Sequence, residues 1–403
     1  MDNKQNVKQN YLGDRGLIVF LALLSGFVPL STDLYLPALP LMARYFQVPE
    51  YQVNLTLILF FVFYAAATLI WGPLSDKYGR RPVLMIGLTG YALASAMCML
   101  AASNTQLIIF RILQAVGGGV ATTLATAIVK DVFDSKRRES ILAIVQSMVV
   151  ISPAVAPVIG ALLLKFTSWR GIFAAQMILG IALVLGSVMF RETLATKSKG
   201  GVWQAMGRLG VVLKNPRFAM LLIIFSMIGI TSLAYISSSS YIFQNTFGLS
   251  SQVYSYFFAF NAIGMLVGPL FYLRLAARFK RFAIINACFA TLILSGFFVW
   301  TLGGSGPWVF AIVLLPATIA SACIRPPGTF LMLEQQKGDT GSAASLIGSA
   351  ATVMGSAGMI LISLNLNHPI KAVGALNMIF GALCGGLWLV VTKGKLLRQL
   401  RGG

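Results

Sequence analysis

Charge is scarce in this chain. Of 403 residues, 10% are Asp, Glu, Lys or Arg, against about 25% in an ordinary soluble domain. Acid is scarcest: 11 Asp and Glu stand against 31 Lys and Arg. There is one histidine, His368, and there are four cysteines, Cys98, Cys288, Cys323 and Cys384. The cysteines lie inside apolar runs without C-x-x-C spacing, which argues against a disulfide framework or a zinc site and for small apolar packing. No spaced His/Glu metal set, nucleophile elbow or pair of catalytic carboxylates appears. An enzyme, a bound metal and a cofactor are therefore not expected. The first residues, MDNKQNVKQNYLGDRG, are too hydrophilic for a cleavable signal peptide.

What fills the chain instead is hydrocarbon. Hydrophobic residues make up 57%, and the mean hydropathy is +0.82. A soluble protein so composed would expose large apolar patches and associate. In lipid the composition is the expected one, since a span needs roughly 20 mostly apolar residues. Such runs lie at 16–40, 51–75, 82–103, 105–130, 138–165, 169–191, 216–244, 251–276, 282–303, 307–333, 340–366 and 369–392. They are too long and too uniformly apolar for alternating barrel strands, so helices are expected. The net charge of +20 does not indicate nucleic acid, because the cations sit in short gaps between the runs rather than on one face of a domain.

Those cations alternate. Lys4, Lys8 and Arg15; Lys77, Arg80 and Arg81; Lys130, Lys136, Arg137 and Arg138; Arg274, Arg278, Lys280 and Arg281; Lys337; and Lys393, Lys395, Arg398 and Arg401 fall in every second gap. So does the basic linker from Arg191 to Arg217. The other gaps hold only Arg44, Lys165, Arg170 and Lys371. By the positive-inside rule both termini are cytoplasmic. The halves also repeat. Gly72-Pro73 before KYGRRP is matched by Gly268-Pro269 before RLAARFKRF, and SPAVAPVIGA (152–161) by GSAATVMGSA (348–357) at the same offset. The expected organisation is an N-terminal six-helix half (1–191), a cytoplasmic linker (192–215) and a C-terminal six-helix half (216–403), with transport by rocking about a central site.

From Gly72 the chain reads GPLSDKYGRRPVL. This resembles the signature G-x-x-x-D-x-x-G-R-[RK] between the second and third helices of the major facilitator superfamily, with Gly72, Asp76, Gly79, Arg80 and Arg81 in place. The resemblance implies twelve helices in two pseudo-symmetric halves and a cytoplasmic gate in which an Arg of this turn pairs with Asp131 in VKDVF. The plainer reading is that the basic residues only supply positive-inside charge. Further stretches are similar to the Bcr/CflA drug:proton antiporters of bicyclomycin and chloramphenicol resistance: PLSTDLYLPALP (29–40), RILQAVGGG (111–119) and SPAVAPVIGA (152–161). In the last, Pro153, Pro157 and Gly160 stand in the antiporter packing motif g-P-x-x-G-G, although Ala156 and Ala161 replace glycines. Small size is what close helix packing requires.

Three ionisable side chains lie well inside the spans: Asp33, Arg111 and Arg325. A charge there costs from about 2.5 kcal/mol upward, so each calls for a cavity or a partner. Counted along their helices, Asp33 and Arg111 fall at similar depth, about 9–10 Å from the outer end. Asp33 is the candidate proton carrier, or else a helix-end residue beside Pro37 and Pro40. By resemblance Arg111 binds substrate or couples protonation to it; structurally, it would instead hydrogen-bond carbonyls of the broken first helix. Arg325, in ACIRPPGTF, either anchors substrate or snorkels to the interface. As an anchor it would make two cations to one anion and favour a carboxylate-bearing or zwitterionic solute. Tyr35, Tyr64, Gln114, Gln146, Tyr241 and Asn261 are further candidate lining residues, each equally a packing residue.

The expected activity is export of a small organic molecule in exchange for protons, by a monomer embedded in the bilayer of the bacterial inner membrane. A proton-coupled uptake symporter is the alternative.

Overall fold

The structure is a computed structural model describing residues 11–194, 197, 202–336, 340–364 and 368–393. Lys4, Lys8, Lys199, Lys337, Lys395, Arg398 and Arg401 lie outside the described residues. Among those described, 12 helical segments are long and apolar enough to cross a membrane, and no strand is present. Helix is what lipid requires of such runs, because each backbone N–H and C=O is satisfied within its own segment.

The first segment shows what proline does to that ladder. Helix α1 (Gly13–Tyr35) gives way to a 3-10 turn (Leu36–Ala38) and then to α2 (Leu39–Phe46). Pro37 has no N–H to offer the carbonyl of Asp33, which accepts from Leu36 instead. The tighter i to i+3 bond makes the turn, and the span runs on to Phe46, beyond the expected end at 40. There follow α3 (Glu50–Tyr78), α4 (Arg80–Met99), α5 (Asn104–Val132), α6 (Ser135–Phe166) and α7 (Trp169–Met189). Side-chain caps start several of them: Ser103 accepts from Gln106, Asp134 from Arg137 and Ser168 from Arg170, satisfying amides that a helix start leaves open.

Part of the linker is itself helical, as α8 (Val202–Leu213). Beyond it come α9 (Pro216–Ser226), α10 (Ile228–Tyr241) with a π turn at Ile242–Thr246, α11 (Ser251–Ala276), α12 (Arg281–Leu302), α13 (Pro307–Cys323), α14 (Arg325–Glu334), α15 (Thr340–Ser363) and α16 (Pro369–Lys393). The break between α13 and α14 has the cause seen in α1. Pro326 and Pro327 cannot donate to the carbonyls of Ala322 and Cys323, and regular bonding resumes with Gly328 N–H to Ile324.

The chain divides into two compact units, residues 1–48 with 55–206, and residues 49–54 with 207–403. In the first, α1 packs on α6, and α4 on α5 and α7; in the second, α10 packs on α15 and α12 on α16. Small residues set the approach. A Cβ at Gly160 of α6 would run into the carbonyl of Leu34, and one at Gly117 of α5 would stand 2.6 Å from the amide nitrogen of Tyr91. Within the second unit, Gly358 of α15 meets the carbonyl of Ile230 on α10 as Gly160 meets Leu34 in the first. All four cysteines are buried and unpaired by disulfides.

Candidate functional site

Two polar clusters stand out in the first unit. The first surrounds Arg111, which is 0% exposed. Its Nη1 donates to Gln114 Oε1 at 2.6 Å. Gln114 Nε2 then donates to Ser95 Oγ at 2.7 Å and to Gln176 Oε1 at 2.8 Å, and Gln176 Nε2 donates to the backbone carbonyl of Ser31 at 2.8 Å. Every amide orientation follows from the ends. A guanidinium has only donors and a carbonyl only accepts, so the chain from α5 through α7 to α1 has one polarity. The hydroxyl of Ser31 is held as well, 2.5 Å from Tyr91 OH.

The rest of Arg111 meets rings. Its guanidinium carbon lies 4.1 Å from the centre of Phe60, 5.0 Å from Tyr35 and 6.0 Å from Phe173. Each such face offers a buried cation about 1–2 kcal/mol. Nε and Nη2 have no hydrogen-bond partner, so two donors of the fork stay open. Tyr35 OH is bonded to Thr56 Oγ1 at 2.5 Å.

Asp33 stands outside this network. It is buried, 5% exposed, with its carboxylate 3.5 Å from the Thr32 hydroxyl. The ion pairs among the described residues are Arg80–Asp76, Arg80–Asp131 and Arg281–Glu334; none joins Asp33 to Arg111. Azimuth along α1 sets Asp33 apart from the Arg111 cluster. Ser31 and Tyr35, one turn apart, present one face of α1 to the Arg111 cluster, and at about 100° per residue Asp33 lies about 200° round from Ser31. Asp33 is in the last turn of α1. Arg111 reaches a carbonyl of the broken first helix, though through two glutamines and not directly. Gln176 was missed by sequence reasoning; a lone glutamine in an apolar run carries no signal of what it faces.

The other candidates separate. Tyr64 OH bonds Thr122 Oγ1 at 2.8 Å, and Gln146 is exposed on α6. In the second unit, Tyr241 is buried, with its hydroxyl 3.4 Å from the carbonyl of Glu50. Asn261 is buried with Oδ1 accepting from Thr318 at 2.9 Å and Nδ2 unpartnered. Arg325 opens α14 with an exposed side chain. Glu334 pairs at 3.9 Å with Arg281, which lies over Phe330.

The second cluster is the basic turn between α3 and α4. Arg80 is the residue of the turn that reaches Asp131: Nε to Asp131 Oδ2 is 2.8 Å, and Nη1 bonds Asp76 at 2.6 Å and Ser75 Oγ at 2.5 Å. Arg81 turns the other way and donates from Nη2 to the carbonyl of Val188 at 2.6 Å. Gly79 has φ 111°, a left-handed conformation open to glycine. Gly72 has only an ordinary contact, with Thr123. Glu192, counted from the sequence as the start of the linker, belongs to this cluster. Its carboxylate accepts the amide protons of Arg80 and Arg81 at 3.0 Å each.

A profile of the Major Facilitator Superfamily matches residues 21–363. This chain belongs to that superfamily. Among curated proteins it is 30% identical over 382 residues to the uncharacterized MFS-type transporter YdgK of Bacillus subtilis, covering 91% of this chain and 94% of that one. It is 34% identical over 166 residues to the multidrug resistance protein MdtL of Escherichia coli, a match spanning 41% of this chain and 42% of MdtL. Among solved structures, a bacterial homolog of the human lysosomal transporter Spinster superposes with a TM-score of 0.73 at 14% identity, covering 94% of this chain and 96% of that one. The D-xylose-proton symporter gives 0.66 at 13%, covering 91% and 96%. At such identities these two superfamily members share the fold alone. The chain is accordingly a multi-pass membrane protein of the superfamily's twelve-helix fold.

Proposed function

We propose that this chain is a proton-coupled antiporter of the Bcr/CflA type that exports a small organic molecule by alternating access. Asp33 is the proton carrier, and the observation that carries the reading is its burial in a span with no cationic partner among the described residues. A carboxyl so placed must trade its proton when the surroundings open. Arg111, with two open donors, couples that exchange to the solute. The likeness to a multidrug resistance protein over 166 residues supports export over uptake. Arg325, exposed at the start of α14, favours a carboxylate-bearing or zwitterionic solute. The Asp76–Arg80–Asp131 cluster serves as the gate at the cytoplasmic side, where the basic gaps place both termini. The protein works as a monomer in the bacterial inner membrane.

The test uses inverted vesicles carrying an imposed pH gradient, with norfloxacin (a zwitterionic carboxylate) and chloramphenicol as probes. An antiporter dissipates the gradient when probe is added. Asp33→Asn should still bind probe but dissipate nothing. Dissipation by Asp33→Asn equal to wild type removes the assigned role.

A further inference from the structure

Ser31 is gripped twice. Its carbonyl takes the Gln176 amide at 2.8 Å, and its hydroxyl is bonded to Tyr91. One turn later Tyr35 is held by Thr56 and lies under the Arg111 guanidinium. These contacts fix the azimuth of α1 where its own ladder is weakest. Pro29 and Pro37 leave the carbonyls of Ser25 and Asp33 without their usual i+4 donors, and the α-helix ends at Tyr35. A helix so interrupted bends where its ladder is broken, and contacts with its neighbours set how it faces them. The residue whose facing depends on that hold is Asp33, two positions beyond Ser31.

From this geometry we infer that Gln176 is a positioning residue for Asp33. By donating to the Ser31 carbonyl it sets the rotation of α1 that turns the carboxylate away from Arg111. The same amide, accepting from Gln114, keeps the guanidinium on its rings. Acid and cation are thereby kept apart from both sides by one side chain. The separation matters chemically, because a buried carboxylate seated on the open Nε and Nη2 donors would form a fork-to-fork pair of charge-assisted bonds. A proton carrier trapped in such a pair could not be reprotonated readily. The inference rests on the reading of Asp33 as proton carrier.

The test needs no substrate. Dicyclohexylcarbodiimide modifies protonated carboxyls in apolar surroundings. Its labelling of the Asp33 peptide is followed by mass spectrometry across pH, on full-length protein in nanodiscs. Wild type should show pH-dependent labelling. Gln176→Leu removes both bonds, and Gln176→Glu keeps the acceptor for Gln114 but gives up the donor to Ser31. Each should displace the half-labelling pH by about one unit or more, a tenfold change in the protonation ratio. Ser31→Ala, which removes only the Tyr91 bond and is the mildest change to packing, should displace it by less and in the same direction as Gln176→Leu. Lower thermal stability with an unmoved pH profile, in any of the three that runs as a single species, is what a merely structural glutamine would give, and it overturns the inference while leaving Asp33 as carrier. Labelling of wild-type Asp33 that is absent or independent of pH removes the carrier reading and the inference with it.

Discussion

The carboxylate of Glu192 accepts the amide proton of Arg80 at 3.0 Å, and so caps a helix from 112 residues further along the chain. Its second oxygen takes the amide of Arg81. Two open donors of the first turn of α4 are thus satisfied by a charge that also complements the positive end of the helix dipole. The same oxygen that bonds Arg80 accepts from Thr193 and Leu194, which ties the chain just beyond α7 to the basic turn.

Glu192→Ala should therefore cost about 1 kcal/mol, the usual range for a lost helix cap, and lower the thermal unfolding temperature in detergent. Glu192→Gln keeps one acceptor oxygen and should lose less. Gly79→Ala should be worse than either. It forces a side chain into φ 111°, and the added Cβ would stand 2.6 Å from Glu192 Oε2. A Gly79→Ala protein as stable as wild type would contradict the strain assigned to this turn.

The two acid–arginine pairs at corresponding helix ends should differ in weight. Arg80 is 7% exposed and bonded to two carboxylates, whereas Arg281 and Glu334 are 35% and 40% exposed and 3.9 Å apart. Removing a partner from a buried cation leaves charge uncompensated; an exposed pair is screened. With Asp76 still paired to Arg80, Asp131→Asn should lose about 1–3 kcal/mol and most norfloxacin-driven dissipation. Glu334→Gln should change stability by under about 0.5 kcal/mol. Equal losses measured side by side would show that exposure does not set the difference.

Arg111→Lys should fail although it keeps the charge. An ammonium cannot reproduce the planar fork or lie flat on Phe60 and Tyr35. Proton-coupled dissipation in inverted vesicles should fall at least tenfold, with the loss comparable in Arg111→Gln. A functional Lys variant would mean that only positive charge is needed there.

Glycine packing provides a matched set. Gly160→Ala and Gly358→Ala each put a Cβ against a backbone carbonyl of the facing helix, and backbone cannot step aside as a flexible side chain can. Both should lower the unfolding temperature, by an overpacking cost of about 1–3 kcal/mol. Gly90→Ala, with nothing within 4 Å of the new Cβ, should be tolerated.

Much of this molecule was legible in one dimension. The scarcity of charge and the twelve apolar runs determine a helical membrane bundle, because lipid admits few other ways to satisfy a backbone. The repeat of Gly-Pro and basic turn reads as two halves, and the chain divides into two compact units; in the turn itself Arg80 lies 2.8 Å from Asp131. Tertiary structure alone decided the rest. Depth along a helix can be counted from sequence, but azimuth cannot be trusted across Pro29, Pro37 and a 3-10 turn. Among the described residues Asp33 and Arg111 make no ion pair with each other. Gln176 and Glu192 carry no pattern of their own. What each does is set by a partner far away in the chain, a carbonyl of α1 in one case and two amides of α4 in the other, and only folding brings those groups within hydrogen-bond reach.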